Sequence, residues 1–197
     1  MSSFRKLSRL LVVAGFLLSS GCATTNLLSV WKDPAYAGPP RNIMVIGVMA
    51  NKGFAKVFEE EFARQLKKRG VGAVASSAVL PTDTKLDKAV IVAKMQEIGA
   101  DTVIITSVLD KREIASAPAS PRFQRQVEWY GFYTFSYENL QSMMASTQTN
   151  VYDLKTERLV WTAVSDTWVE GSEDALFLAR TFVPVAVKRL AEDRIIK

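Results

Sequence analysis

"IMVIGVMA", residues 43–50, is a continuous apolar run. A strand with one wet face alternates apolar and polar side chains, whereas a strand covered on both faces has no need to. This stretch therefore predicts an interior strand. "GFAKVFEEEFARQLKKRG", residues 53–70, follows it. Phe54, Val57, Phe58, Phe62 and Leu66 recur near one face of a 3.6-residue period, which predicts a helix. Lys67, Lys68 and Arg69 suit the negative end of the helix dipole, and Gly70 can terminate it. "VGAVASSAVL" (71–80) predicts a second, weaker strand. Thr84 and Asp87 open a second helix that runs to about Ile98, with Gly99 as its stop. "DTVIITSVL" (101–109) is a third buried strand. The order strand, helix, strand, helix, strand implies crossover connections and a parallel unit with helices against it.

Beyond this unit the pattern changes. "SAPASPRFQRQ" (116–126) predicts a loop, and "VEWYGFYTFSYENL" (127–140) is densely aromatic. From Met143 to Trp168 the residues favour two strands around a turn at Asp153–Arg158, with Glu157 where a hairpin often uses glycine. A last helix is expected from near Glu173, capped by Ser172, burying Phe177, Phe182, Val185 and Leu190. Pro184 is expected to kink or divide it. The fold class that results is α/β: a mixed sheet made of a βαβαβ parallel unit, then an antiparallel hairpin and a C-terminal helix, with helices packed on the sheet. No internal repeat and no second domain is evident.

The N-terminal end has a different organisation. Arg5, Lys6 and Arg9 precede an apolar run from Leu10 to Leu18, and Ser19, Ser20 and Gly21 lead to Cys22, the sole cysteine of the chain. Basic, apolar, small is the order of a bacterial secretory signal, and the apolar run falls far short of the roughly 20 residues that span a bilayer. The small residues ending in cysteine resemble a bacterial lipobox, with Ser19 where leucine is usual and Leu18 one place further back. The resemblance implies a diacylglycerol on the Cys22 sulfur and cleavage just before it. Residues 1–21 are then the lipoprotein signal, 22–41 a lipidated tether and 42–197 a single domain. Within the tether, Leu27, Leu28, Val30 and Trp31 are too apolar for a free linker and are expected to dock as an edge strand or a clasp. Ala23 after the cysteine implies the outer membrane by resemblance to enterobacterial sorting.

Composition narrows the chemistry. Three of the 25 basic residues sit in the signal, so the rest exceed the 20 acidic ones by only two. A nearly balanced chain gives no reason to expect nucleic acid, which needs a clustered basic face. Histidine is absent, so Ser-His-Asp and Cys-His catalysis are excluded. With Cys22 acylated, zinc loses both of its favoured ligands. No catalytic residue, metal ligand or cofactor is expected.

Several features invite a site and are each explained more simply. "GVMANKG" (47–53) lies between a strand and a helix, where backbone N–H groups can hold phosphate, but it lacks the Walker order and the dinucleotide glycine spacing. A plain turn is the simpler reading. Glu59, Glu60 and Glu61 are adjacent on a helix and are expected on a solvated face. Asp101 and Asp110 flank the third strand, with Asp110 at the end where ligands gather in parallel sheets. Ser76 and Ser77 lack the glycine-framed elbow of a hydrolase nucleophile. The aromatic residues Trp129, Tyr130, Phe132, Tyr133, Phe135 and Tyr137 crowd around Gly131. They read either as a core strand buried on both sides or as an exposed hairpin or flap that meets a partner, glycan strands or the lipid surface.

"SVWKDPAYAGPP", "IMVIGV", "IGADTVIIT" and "NVYDLKTERLVW" resemble a family of uncharacterised bacterial envelope lipoproteins. The element order is similar to the amino-terminal domain of TolB, and to lipoproteins that activate penicillin-binding proteins or help assemble curli secretion pores. The resemblance implies a membrane-anchored, non-enzymatic factor that binds or assembles other envelope components, with an envelope protein partner. The alternative is an envelope hydrolase working with carboxylates or serine.

Overall fold

The fold is taken from a computed structural model of the chain, which describes residues 25–36, 38–49, 51–81, 87–108, 144–168 and 175–197. The apolar run at 43 forms β2 (Asn42–Val48), with Ile43 to Ile46 wholly buried. It is flanked by two parallel neighbours, β3 (Gly72–Ala75) and β4 (Thr102–Val108). β5 (Met144–Asp153) runs antiparallel to β4, and β6 (Arg158–Trp168) antiparallel to β5. β1 (Thr25–Lys32) closes the sheet, antiparallel to β6. The spatial order is β1-β6-β5-β4-β2-β3, a mixed six-stranded sheet. The apolar residues after Cys22 are thus an edge strand, and the sheet begins at Thr25.

Alternation along the strands assigns the two faces. Ile43, Val45, Ile104, Val151 and Trp161 face α1 (Lys52–Lys68) and α3 (Ala175–Glu192). The two helices meet there, with the Phe58 and Phe182 rings 5.6 Å apart. Met44, Ile46, Val103, Ile105 and Tyr152 face Ile91 and Met95 of α2 (Lys88–Glu97). Three layers follow, with a continuous apolar strand between two helical covers, as the unbroken run at 43–50 requires.

The helix ends obey local chemistry. The Asn51 side chain caps α1 by accepting from Gly53 N at 2.9 Å and Phe54 N at 3.2 Å. Gly70, at φ 77°, ends it in the left-handed region, and Val71 N returns to Leu66 O. Asp87 is itself the cap of α2, accepting from Val90 N at 2.9 Å, so the helix begins three residues later than a cap at Thr84 would place it. Thr84, Ser172 and Glu173 lie outside the described residues.

Pro184 does not divide α3, which continues from Ala175 to Glu192 with the proline inside it. Pro184 is on the exposed side, where the missing hydrogen bond leaves a carbonyl facing water rather than the core. The β5–β6 turn is Leu154–Glu157. Glu157 adopts φ 54°, the left-handed conformation for which glycine is the usual choice. Asp153 holds the turn by accepting from Thr156 N and Thr156 Oγ1 at 2.9 and 2.7 Å.

Candidate functional site

The sheet has two chemically different ends. At the carboxyl end of the parallel strands, a ligand anion would ordinarily find backbone N–H groups. Here the chain supplies its own anion. Glu59, on the second turn of α1, is 3% exposed and points back at the sheet. Its Oε1 accepts from Gly47 N at 2.8 Å and from Ser76 Oγ at 2.7 Å, and its Oε2 accepts from Ser77 N at 2.8 Å. One carboxylate therefore joins the end of β2, the end of β3 and α1. The "GVMANKG" turn is a capped strand-to-helix connection whose donors at Gly47, Gly53 and Phe54 are already bonded.

The solvated-face expectation for the three glutamates holds only for Glu60. Glu59 and Glu61 are buried. Glu61 receives two bonds from the Arg64 guanidinium and one from Gln65 Nε2. The Arg64 bonds hold its carboxyl below the ordinary glutamate range, against a smaller opposing push from burial. Ser76 is 4% exposed, and its hydroxyl is committed to Glu59. Nucleophilic chemistry needs an oxygen that substrate can reach, and this one is enclosed.

The amino end carries an open cleft of about 480 Å³. The segment after β1, Asp33 to Arg41, forms one wall, and the β5–β6 turn with Lys155 and Arg158 forms the other. Asp33, which is buried, accepts from Ala35 N at 2.9 Å and lies 3.5 Å from the Arg158 guanidinium. Asp101 accepts from Arg41 N and Asn42 N, so it fixes the entry into β2. Asp153 is committed to Thr156. Burial pushes the Tyr36 phenol above its ordinary value, and the Asp153 and Asp101 charges add to the rise against a hydrogen bond with Thr102. The carboxylates of the cleft are thus tied to backbone and turn, while Arg41 and Arg158 keep mostly exposed side chains at its rim. Pro39, Pro40 and Val160 contribute apolar wall. Together these residues give the cleft an apolar wall with two guanidinium groups at its rim.

No known protein family's sequence model matches this chain. No curated protein matches it either. Among solved structures, it is similar to the PelC dodecamer from Paraburkholderia phytofirmans, at 13% identity and a TM-score of 0.47, over 86% of this chain and 97% of that one. A variant of the same protein in another crystal form gives 12% and 0.45, over 85% and 98% of the two chains. A PDZ domain protein from Parabacteroides distasonis gives 13% and 0.41, over 87% of this chain and 37% of that one. Likeness at this level carries no argument about what the chain does.

Cys22, Asp110 and the aromatic residues Trp129, Tyr130, Phe132, Tyr133, Phe135 and Tyr137 lie outside the described residues. The flanks of the aromatic segment are described. Val108 ends β4 and Met144 begins β5, so the segment leaves and rejoins the sheet at the carboxyl end. Thr25 stands at that same end, opposite Thr167. Sequence reasoning missed the cleft, because Arg158 is far along the chain from Asp33 and Tyr36 and meets them only when β1 pairs with β6. The "DPAYAGPP" stretch (33–40) was the available signal: prolines and an aspartate immediately after an apolar strand. Among the described residues, no cluster of His, Cys, Asp or Glu could hold a metal ion, and no helix is long and apolar enough to cross a membrane.

Proposed function

We propose that this chain is a lipid-anchored envelope lipoprotein, held at the outer membrane through Cys22 and facing the periplasm. It acts without catalysis, as a binding or assembly factor for another envelope protein. The observation that carries this reading is the position of β1. The first sheet residue, Thr25, comes three residues after Cys22. An anchor there fixes one end of the sheet and leaves the cleft at the opposite end open to a partner.

Two further features support it. The basic, apolar and small residues ahead of Cys22 have the order of an export signal. Acyl chains contribute about 0.8 kcal/mol per buried CH₂, so two or three of them hold a protein on a membrane almost permanently. The buried Ser76–Glu59 pair and the committed aspartates of the cleft weigh against the hydrolase alternative.

The test is made in cells. Wild type and Cys22→Ser are labelled with a fatty-acid probe and fractionated, and the lipidated protein is crosslinked in place. Label and outer-membrane location confined to the wild type, with a specific envelope protein captured, are expected. Equal labelling of the two proteins would sink the anchor, and a purified chain that turns over envelope substrates would sink the non-catalytic role.

A further inference from the structure

Two large apolar side chains stand in solvent among the described residues: Trp168, 48% exposed, and Leu28, 53% exposed. Both belong to the β1–β6 pair. Trp168 is the last residue of β6, one step beyond the Thr25–Thr167 pair that opens the ladder. Leu28 sits at the irregularity of β1, where Leu27 pairs with Ser165 and Ser29 with Val164, so it has no residue opposite. Elsewhere on this pair the apolar side chains are covered: Trp161 is fully buried, and Val30 and Leu27 pack against the α1–α3 core. The uncovered ones are near the anchored end.

Chain length decides what meets them. Ala23 and Thr24 alone separate Cys22 from Thr25, a span of three residue steps. Fully extended, those three steps reach at most about 11 Å. A sulfur bonded to diacylglycerol sits at the boundary between acyl chains and headgroups, and the headgroup layer of one leaflet is about 5–8 Å deep. The link is therefore too short to lift the start of β1 well clear of the lipid. Thr25 shares a 2.8 Å hydroxyl bond with Thr167, which pins the two strand ends together and carries Trp168 with them.

We propose that the carboxyl end of this sheet rests on the lipid surface, with Trp168 inserted in the headgroup layer as a second contact beside the acyl anchor. The inference rests on the reading of Cys22 as the acylated residue. The indole suits that layer because its apolar ring displaces water while its N–H remains able to bond. Leu28, about 10 Å further along β1, adds apolar surface to the same edge of the sheet. The contact gives the molecule an orientation that a flexible tether alone would not. β6 runs ten residue steps from Trp168 to Arg158, about 33 Å at roughly 3.3 Å each, so the cleft is presented away from the membrane.

The mature, lipidated full chain is reconstituted in phosphatidylcholine vesicles whose acyl chains are brominated close to the headgroup. Bromine quenches tryptophan emission only at short range. Both proteins carry Trp129→Phe, because the flanks of that residue's segment lie at the same end of the sheet. The protein retaining Trp168 is expected to be quenched, and the further change Trp168→Phe, conservative at an exposed site, is expected to lose most of that quenching while keeping its circular dichroism. Equal quenching of the two proteins overturns the proposal. Thiol labelling of the denatured chain reads the anchor separately. A blocked Cys22 with equal quenching removes the Trp168 contact and leaves the anchor standing, whereas a free thiol removes the anchor and the contact with it.

Discussion

The Ser76 hydroxyl donates a 2.7 Å hydrogen bond to Glu59, seventeen residues earlier in the chain. The same carboxylate accepts from the backbone N–H groups of Gly47 and Ser77. It takes the role that a bound anion plays in sheets of this kind, and it closes the carboxyl end of β2 and β3 with the protein's own charge.

Removing that carboxylate is expected to be severe. Glu59→Ala leaves a buried hydroxyl and two backbone donors without an acceptor, and should cost about 3 kcal/mol or more. Glu59→Gln keeps the volume but turns an amide NH₂ toward existing donors, and should cost about 2 kcal/mol. Ser76→Ala removes a single bond and should cost about 1 kcal/mol. Urea unfolding midpoints give the order directly. If Glu59→Ala proves milder than Ser76→Ala, the carboxylate is not what holds this corner.

A second polar anchor lies at the end of α3. Trp161, fully buried, donates from Nε1 to Asp193 Oδ2 at 2.8 Å. Arg189 Nε bonds the same oxygen at 2.9 Å, and Lys32 Nζ bonds the Asp193 carbonyl at 2.7 Å. Asp193→Ala strands the indole N–H in the core and should cost about 2 kcal/mol. Arg189→Ala removes only the partly exposed ion pair and should cost less than about 1 kcal/mol. Comparable losses in the two variants, measured by chemical denaturation, would show that the ion pair rather than the indole bond matters.

The elements with strong periodicity were legible in the sequence. The run at 43–50, the Phe58–Phe62–Leu66 stripe and the apolar 102–108 segment each commit to one element, because burying them any other way exposes too much apolar surface. The hairpin was legible from the β-favouring residues on either side of its turn, and its tight corner was visible as an awkward Glu157. The polar anchors were not. Glu59 lies next to Phe58, and a helical wheel places adjacent glutamates in water unless something binds them. What binds Glu59 is the end of a strand twelve residues earlier and a turn seventeen later, a relation that exists only after α1 has packed. Of the two outcomes expected at Pro184, a kink or a division, division does not occur: the proline stands on the wet side of α3, inside a helix that runs from Ala175 to Glu192. The cleft is non-local throughout, since its walls come from the chain after β1 and from the β5–β6 turn.

Alkaline stability should report the buried phenols. Burial holds Tyr152 far above the ordinary tyrosine value and raises Tyr36 as well. In the unfolded chain both ionise near pH 10. The folded state keeps its proton where the unfolded state loses it, so the stability is fully present below about pH 10 and declines as pH rises beyond it. Tyr152→Phe removes one such group and should flatten the decline between about pH 9.5 and 11.5. An identical slope in wild type and variant, from urea midpoints across that range, would rule out this phenol as the source.

The aromatic segment gives the prediction closest to function. Its flanks, Val108 and Met144, lie at the carboxyl end of the sheet, on the same side as Thr25 and Trp168. Among the described elements, α1 and α3 cover one face of the sheet, and α2 packs on β2, β4 and the Tyr152–Leu159 end of the hairpin on the other. Large aromatics give broad contact at low entropic cost, which suits association. Tyr130 and Phe132, changed together to serine, should therefore leave thermal unfolding within about 1 kcal/mol of the wild type. Crosslinked partners in intact cells should be lost. Burial in the core forecasts the opposite, a loss of about 3–5 kcal/mol for a truncated aromatic. A large fall in stability would place these side chains in the core and end the idea that they form a binding surface.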